Sequence, residues 1–175
     1  MGRNNQAKRK AKKKTKAKTS PKRLPQISVR PCNGCTACCA VFGVETIEKQ
    51  PWERCEHQVP RGCSIYTERP KMCQTFYCLW QSGLGEEDER PDNFGLILAP
   101  TKGKTEFTGE QEIQAYEMWE NAANQSKPSN MLQRLARKGA LVILHTYGGK
   151  TYKLMGPEQK VAQASAFFRR SQSQA

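Results

Sequence analysis

The chain has 175 residues, 37% of them hydrophobic, with 29 Lys or Arg against 16 Asp or Glu and a net charge of +13. That length fits one domain with an appendage, and no run approaches the ~18 apolar residues that a bilayer span needs, which excludes a transmembrane helix. Eleven basic residues and no acidic ones fall in residues 1–23, while the rest of the chain holds 18 basic and 16 acidic side chains, so the charge belongs to the N-terminus and not to the body.

Residues 1–25 are charged throughout and lack the apolar stretch of a signal peptide. They are expected to form a disordered basic tail, because nothing in them can bury apolar surface. Met1-Gly2 does not make a myristoylation signal, since Gln6 stands where Ser or Thr is required. A tail of this kind can contact nucleic acid non-specifically through phosphate, and it carries no aromatic residue for base stacking.

Residues 26–82 hold all eight cysteines, which lie between Cys32 and Cys78. A segment this poor in apolar residues needs reinforcement by disulfides or metal. Without a signal segment the expected compartment is the cytoplasm, where thiols stay reduced and clustered cysteines more often bind metal than pair. The stretch PCNGCTACC contributes Cys32, Cys35, Cys38 and Cys39. Cys32 and Cys35 have the spacing of a zinc knuckle, with Gly34 to relax the turn. Adding Cys38 also begins a ferredoxin-like run, but the fourth cysteine follows at once instead of after three residues. Adjacent side chains diverge, so Cys38 and Cys39 are awkward ligands for a single ion. The second group is Cys55, Cys63, Cys73 and Cys78, with His57 as a possible further ligand. The geometry predicted is a site joining Cys32, Cys35 and one of Cys38/Cys39 to thiols of the second group, chiefly Cys63, Cys73 and Cys78. Thiolate sets of this kind serve zinc and iron–sulfur clusters alike, a [4Fe-4S] cluster included.

PCNGCTACC followed by GCSIYTERPKMCQTFYC resembles the cysteine-cluster family with the CxxCxxCC signature, the YkgJ-like proteins, described as zinc- or iron-chelating. Cys32, Cys35, Cys38 and Cys39 match the first signature; Cys63, Ile65, Tyr66, Arg69, Pro70, Cys73 and Cys78 match the second. The resemblance covers residues 31–81 and implies a bacterial cytosolic protein. Flagellin lysine methylases share a similar module but are much longer. Within it, Pro70 fixes the backbone before Cys73, and Arg69 is placed to donate to carbonyls or a carboxylate. Trp52, Phe76, Tyr77 and Trp80 are expected to cover the cysteines and keep water away.

Residues 83–175 form the third part, an α+β unit packed with the module, opened by a polar connector over 83–93. FGLILAP (94–100) reads as a strand, with KTEF (104–107) as its hairpin partner. Thr108 to Gln111 has the form of a capping box ahead of a helix whose apolar face is Ala115, Trp119, Ala122 and Ala123. Ser129 is the expected cap of a second helix carrying Met131, Leu132 and Leu135, with Gly139 past its end. ALVILHTY and KTYKLM read as a hairpin across Gly148-Gly149, and Pro157 opens a terminal helix bearing Val161, Ala164 and Phe168. His145 lies in an apolar strand and reads as structural. No nucleotide loop, zinc-protease motif or nucleophile triad is present, so enzyme activity is left undecided: a metal binder, an iron–sulfur redox or methyl-transfer enzyme, and a zinc-stabilised nucleic-acid protein are the three readings, in that order.

Overall fold

The computed structural model describes residues 30–32 and 34–173, so the expectations for the 1–25 tail lie outside the described residues. The class is α+β, as the patterning predicts. In chain order the regular elements are α1 (Ala37–Val41), β1 (Gln58–Val59), β2 (Gly62–Cys63), α2 (Lys71–Thr75), α3 (Pro91–Phe94), β3 (Leu96–Pro100), β4 (Ile113–Glu117), α4 (Ser126–Arg137), β5 (Val142–His145), β6 (Tyr152–Met155) and α5 (Glu158–Gln172). Short 3-10 turns join several of them. Among the described residues no helix is long and apolar enough to cross a membrane.

The main sheet has the order β3-β4-β5-β6, antiparallel except for the parallel β4–β5 pair. A parallel pair needs a crossover, and α4 supplies it. Side chains alternate across the strands. One face places Leu96, Leu98, Ala115, Val142 and Leu144 against Met131 and Leu132 of α4. The opposite face is covered by two different structures. At the β5–β6 side, Ile143 and Leu154 meet Ala164 and Phe168 of α5. At the β3–β4 side, Ile97 and Tyr116 meet Ala37, Val41 and Trp80 of the cysteine module.

The KTEF hairpin and the Thr108 helix are not what forms. Residues 104–107 lie in a connecting loop, and the partner of β3 is β4, in the register Leu98↔Ala115. Thr108 turns its hydroxyl to the Glu112 carboxylate and to the Glu110 amide instead of capping a helix. Ala115, Trp119 and Ala122 fit a helical face, but Ile113, Ala115 and Glu117 also alternate. Pairing on both sides, with β3 and β5, favours the strand. Trp119 still packs on the core, against Gly95, where a Cβ would lie 2.6 Å from the indole.

The other elements follow expectation with shifted ends. α4 starts at Ser126, three residues before Ser129, because Pro128 is tolerated in a first helical turn. The β5–β6 hairpin closes through a six-residue connection, 146–151, that includes Gly148 and Gly149. Pro157 precedes α5, which buries Ala164. The connector at 83–93 contains α3 and a 3-10 turn at Glu87–Glu89.

Candidate metal centre

The first cysteine segment is shaped by local hydrogen bonds. The Cys35 amide donates to the Cys32 carbonyl at 2.9 Å, and Gly34 takes φ +80° in the turn between them. A Cβ there would also press on the Arg61 carbonyl at 3.3 Å, so the residue is glycine for two reasons. The chain then enters α1, which carries Cys38 and Cys39 and anchors itself to the sheet through buried Ala37 and Val41.

The second segment folds back onto the first. The Cys55 amide donates to the Cys39 carbonyl at 3.3 Å, and the Gln58 side-chain amide donates to the Thr36 hydroxyl at 2.8 Å. The short β1–β2 pair then returns the chain, with Cys63 opposite Gln58. Pro70 precedes α2, and α2 presents Cys73. Gln81 ties the two segments together: its Nε2 donates to the Cys32 sulfur at 3.1 Å and its Oε1 accepts from the Cys78 amide at 3.1 Å.

The result is one hollow with thiols from both segments. Cys32, Cys35, Cys38, Cys39, Cys55, Cys63 and Cys73 all line a cavity of about 570 Å³, and His57 lines it as well. Cys78 lies instead on an adjoining cavity of about 420 Å³, which shares Cys32, Cys35, Cys38 and Cys73 with the first. All eight cysteines are free thiols. Among the described residues, no three His, Cys, Asp or Glu side chains stand converged as a ready-made ion site.

The electrostatics are those of crowded thiols between cations. Burial raises the Cys32, Cys73 and Cys78 thiols, and it pushes Cys35 up to about 11, with the Asp92 charge adding to the effect. Cys38 and Cys39 share a hydrogen bond that raises Cys38 and lowers Cys39. The two adjacent thiols thus approach closely enough to share that bond, against the divergence expected of neighbouring residues, and of the two Cys39 is the easier thiolate to form. Lys49 and Arg69 help to hold that thiolate. Lys49 is 8% exposed, its ammonium bonded to the Phe42 and Gln50 carbonyls at 2.6 and 2.9 Å. Arg69 lines both cavities and its guanidinium lies 3.9 Å from the centre of the Tyr66 ring. Its Nε is buried without a hydrogen-bond partner, a condition that costs about 1–3 kcal/mol unless something accepts the proton. The carbonyl or carboxylate partner expected for Arg69 is replaced by the Tyr66 ring.

Lys49 and Gln81 are the participants that the cysteine spacing does not reveal. Lys49 reads as a solvated charge, and only the fold shows it buried beside Cys39. Gln81, three residues past Cys78, carries no motif. The expected aromatic cover forms in part. Trp80 is buried, and Trp52 and Phe76 pack in the same cluster. Tyr77 faces solvent. Trp52 joins the module to the sheet: its indole donates to the Glu117 carbonyl at 3.3 Å, and its backbone adopts φ +58°. Phe42 makes an edge contact with Tyr116 at 4.9 Å, and His145 stacks on the same ring at 4.6 Å, in keeping with its structural reading.

No protein-family model, curated protein or solved structure matches this chain.

Proposed function

We propose that this chain is a cytoplasmic metal-binding protein whose two cysteine segments close around one thiolate centre. The observation that carries this reading is the placement of seven of the eight cysteines on the wall of a single cavity of about 570 Å³. The residues fit such a group: Cys32, Cys35 and Cys39 from the first segment and Cys55, Cys63 and Cys73 from the second supply sulfur donors, with Lys49 and Arg69 compensating their negative charge. Zinc would crosslink the segments, whereas an iron–sulfur cluster would also accept an electron. With zinc–thiolate distances of about 2.3 Å, a lone tetrahedral ion needs far less room than this hollow gives. Four thiolates complete one tetrahedral site and seven cysteines line the hollow, a surplus that favours a polynuclear centre, an iron–sulfur cluster or paired zinc ions, over one ion. The resemblance of residues 31–81 implies zinc or iron chelation and leaves the number of metal ions open.

Anaerobic purification followed by metal analysis, sulfide assay and an absorption spectrum tests the reading. Brown protein with iron and acid-labile sulfide is the outcome expected of a cluster, and colourless protein with two zinc ions that of a paired zinc site. Protein that retains neither metal under reducing, anaerobic conditions would remove the proposal.

A further inference from the structure

The adjoining cavity, of about 420 Å³, is not accounted for by metal ligation. Four of the five cysteines on its wall are shared with the thiol hollow, as are Tyr66, Arg69, Phe76 and Gln81, and the rest of its lining is its own. Phe76, Trp80 and Ile97 give it an apolar floor, and Thr75, Tyr77 and Ser82 belong to it and not to the thiol hollow. Tyr66 and Tyr77, 56% and 55% exposed, line the same cavity and reach solvent. A space of several hundred Å³ with an apolar body and a few polar groups is the usual form of a small-molecule site.

Arg69 supplies the polar specificity. It lies on the wall common to both cavities, its guanidinium carbon 3.9 Å from the centre of the Tyr66 ring, and its buried Nε–H has no acceptor. A guanidinium fixed over an aromatic ring is suited to a carboxylate or phosphate oxygen, and because Nε is closed to solvent such an oxygen would be met by the two terminal nitrogens. The floor beside it has no use for a bare inorganic anion but matches an aryl or alkyl body.

We propose that this second chamber binds a small anionic molecule with an apolar body, its carboxylate or phosphate on Arg69 and its body over Phe76 and Trp80, against the cysteine wall. The proposal rests on the metal reading in placing that ligand next to a metal centre and in the stability of residues 31–81, which form most of the chamber.

The test titrates the purified full-length protein with 3-phenylpropionate, phenyl phosphate and the neutral 3-phenylpropanamide, followed by ligand-observed NMR, with metal per chain measured on every sample. At least one anion is expected to bind tenfold or more tightly than the amide, and the stronger anion identifies the headgroup. Arg69→Gln should abolish that ratio and Arg69→Lys should keep part of it, a selective change that a loss of packing would not produce. Thr75→Trp, which lines only the second chamber, should weaken all three probes while leaving metal per chain unchanged. Equal affinity for anion and amide in the unaltered protein, an anion preference that survives Arg69→Gln, or no binding by fully metallated protein overturns the proposal. Protein that retains no metal under reducing, anaerobic conditions and still prefers the anion supports the chamber while removing the metal reading, so the two fail separately.

Discussion

From Leu96 to Leu144 the sheet buries Leu, Ile and Val side chains on both faces, and Leu132, Leu141 and Val142 are sealed from solvent. Among the described residues from Arg30 to Gln81 the buried set is only Ala37, Val41, Val44, Lys49, Cys55, Cys78 and Trp80. The first region can be held by apolar burial alone, at about 25 cal/mol per Å². The second has β1 and β2 of two residues each and helices of five, too short to persist unaided. What apolar core it has is borrowed from the sheet through Ile97 and Tyr116. Two regions of one molecule therefore have stabilities of different origin, and each can be perturbed without the other.

Removing metal should produce the largest effect. Ligation of a structural thiolate site contributes on the order of 10 kcal/mol, so chelation under reducing conditions should expose residues 31–81 to protease while hydrogen exchange in β3, β4 and β5 stays slow. Single Ser replacements at Cys32, Cys35, Cys39 and Cys73 should each lower metal per chain, and Cys78→Ser should lower it least, since Cys78 is absent from the larger cavity. A protease-resistant metal-free module would remove the distinction between the two regions.

The converse perturbation is next in size. Leu132→Ala empties a fully buried position on α4 and should cost about 2–5 kcal/mol in denaturant unfolding. Metal per folded chain should not change, because Leu132 lies in the cluster on the sheet face opposite Ala37 and Val41, which the module reaches through Leu79 and not through a cysteine. Between these lies the seam. Gly149 has φ +66°, and a Cβ there would lie 2.5 Å from the Trp52 ring. Gly149→Ala should destabilise by about 1–3 kcal/mol and, unlike Leu132→Ala, should also change the Trp52 environment in near-ultraviolet circular dichroism.

The smallest effect expected is a pH dependence confined to the metal-free protein. The Cys35 thiol is pushed from its ordinary 9.0 to about 11, and Cys32, Cys73 and Cys78 are raised too. A raised acid stays protonated in the folded state after the unfolded chain has begun to ionise. Its stabilising contribution is therefore complete below pH 9 and is lost as pH rises toward 11. The residual protection of residues 31–81 in the reduced, metal-free protein, read from the rate of protease cleavage, should fall across that window, and Cys35→Ser should flatten the fall. A flat profile in the unaltered protein would mean that these thiols are not buried together without metal.

Sequence patterning by itself determined the α+β class, the β5–β6 hairpin, α5 from Pro157, and the confinement of every thiol to residues 32–78. These depend on near neighbours: period-two apolar runs, a proline that fits only a helix start, glycines that permit a turn. Tertiary structure alone decided that residues 113–117 form a strand, because helical and alternating patterns coincide there and only pairing with β3 and β5 separates them. It also decided which cysteines share a wall. The two thiol segments are brought together by Gln81 on Cys32, by the Cys55 amide on the Cys39 carbonyl, and by Ile97 and Trp80 beneath them. Lys49 and Arg69 become parts of the site for the same reason: the charge of a side chain is written in the sequence, but the low-dielectric hollow that gives it effect exists only when distant segments close around it.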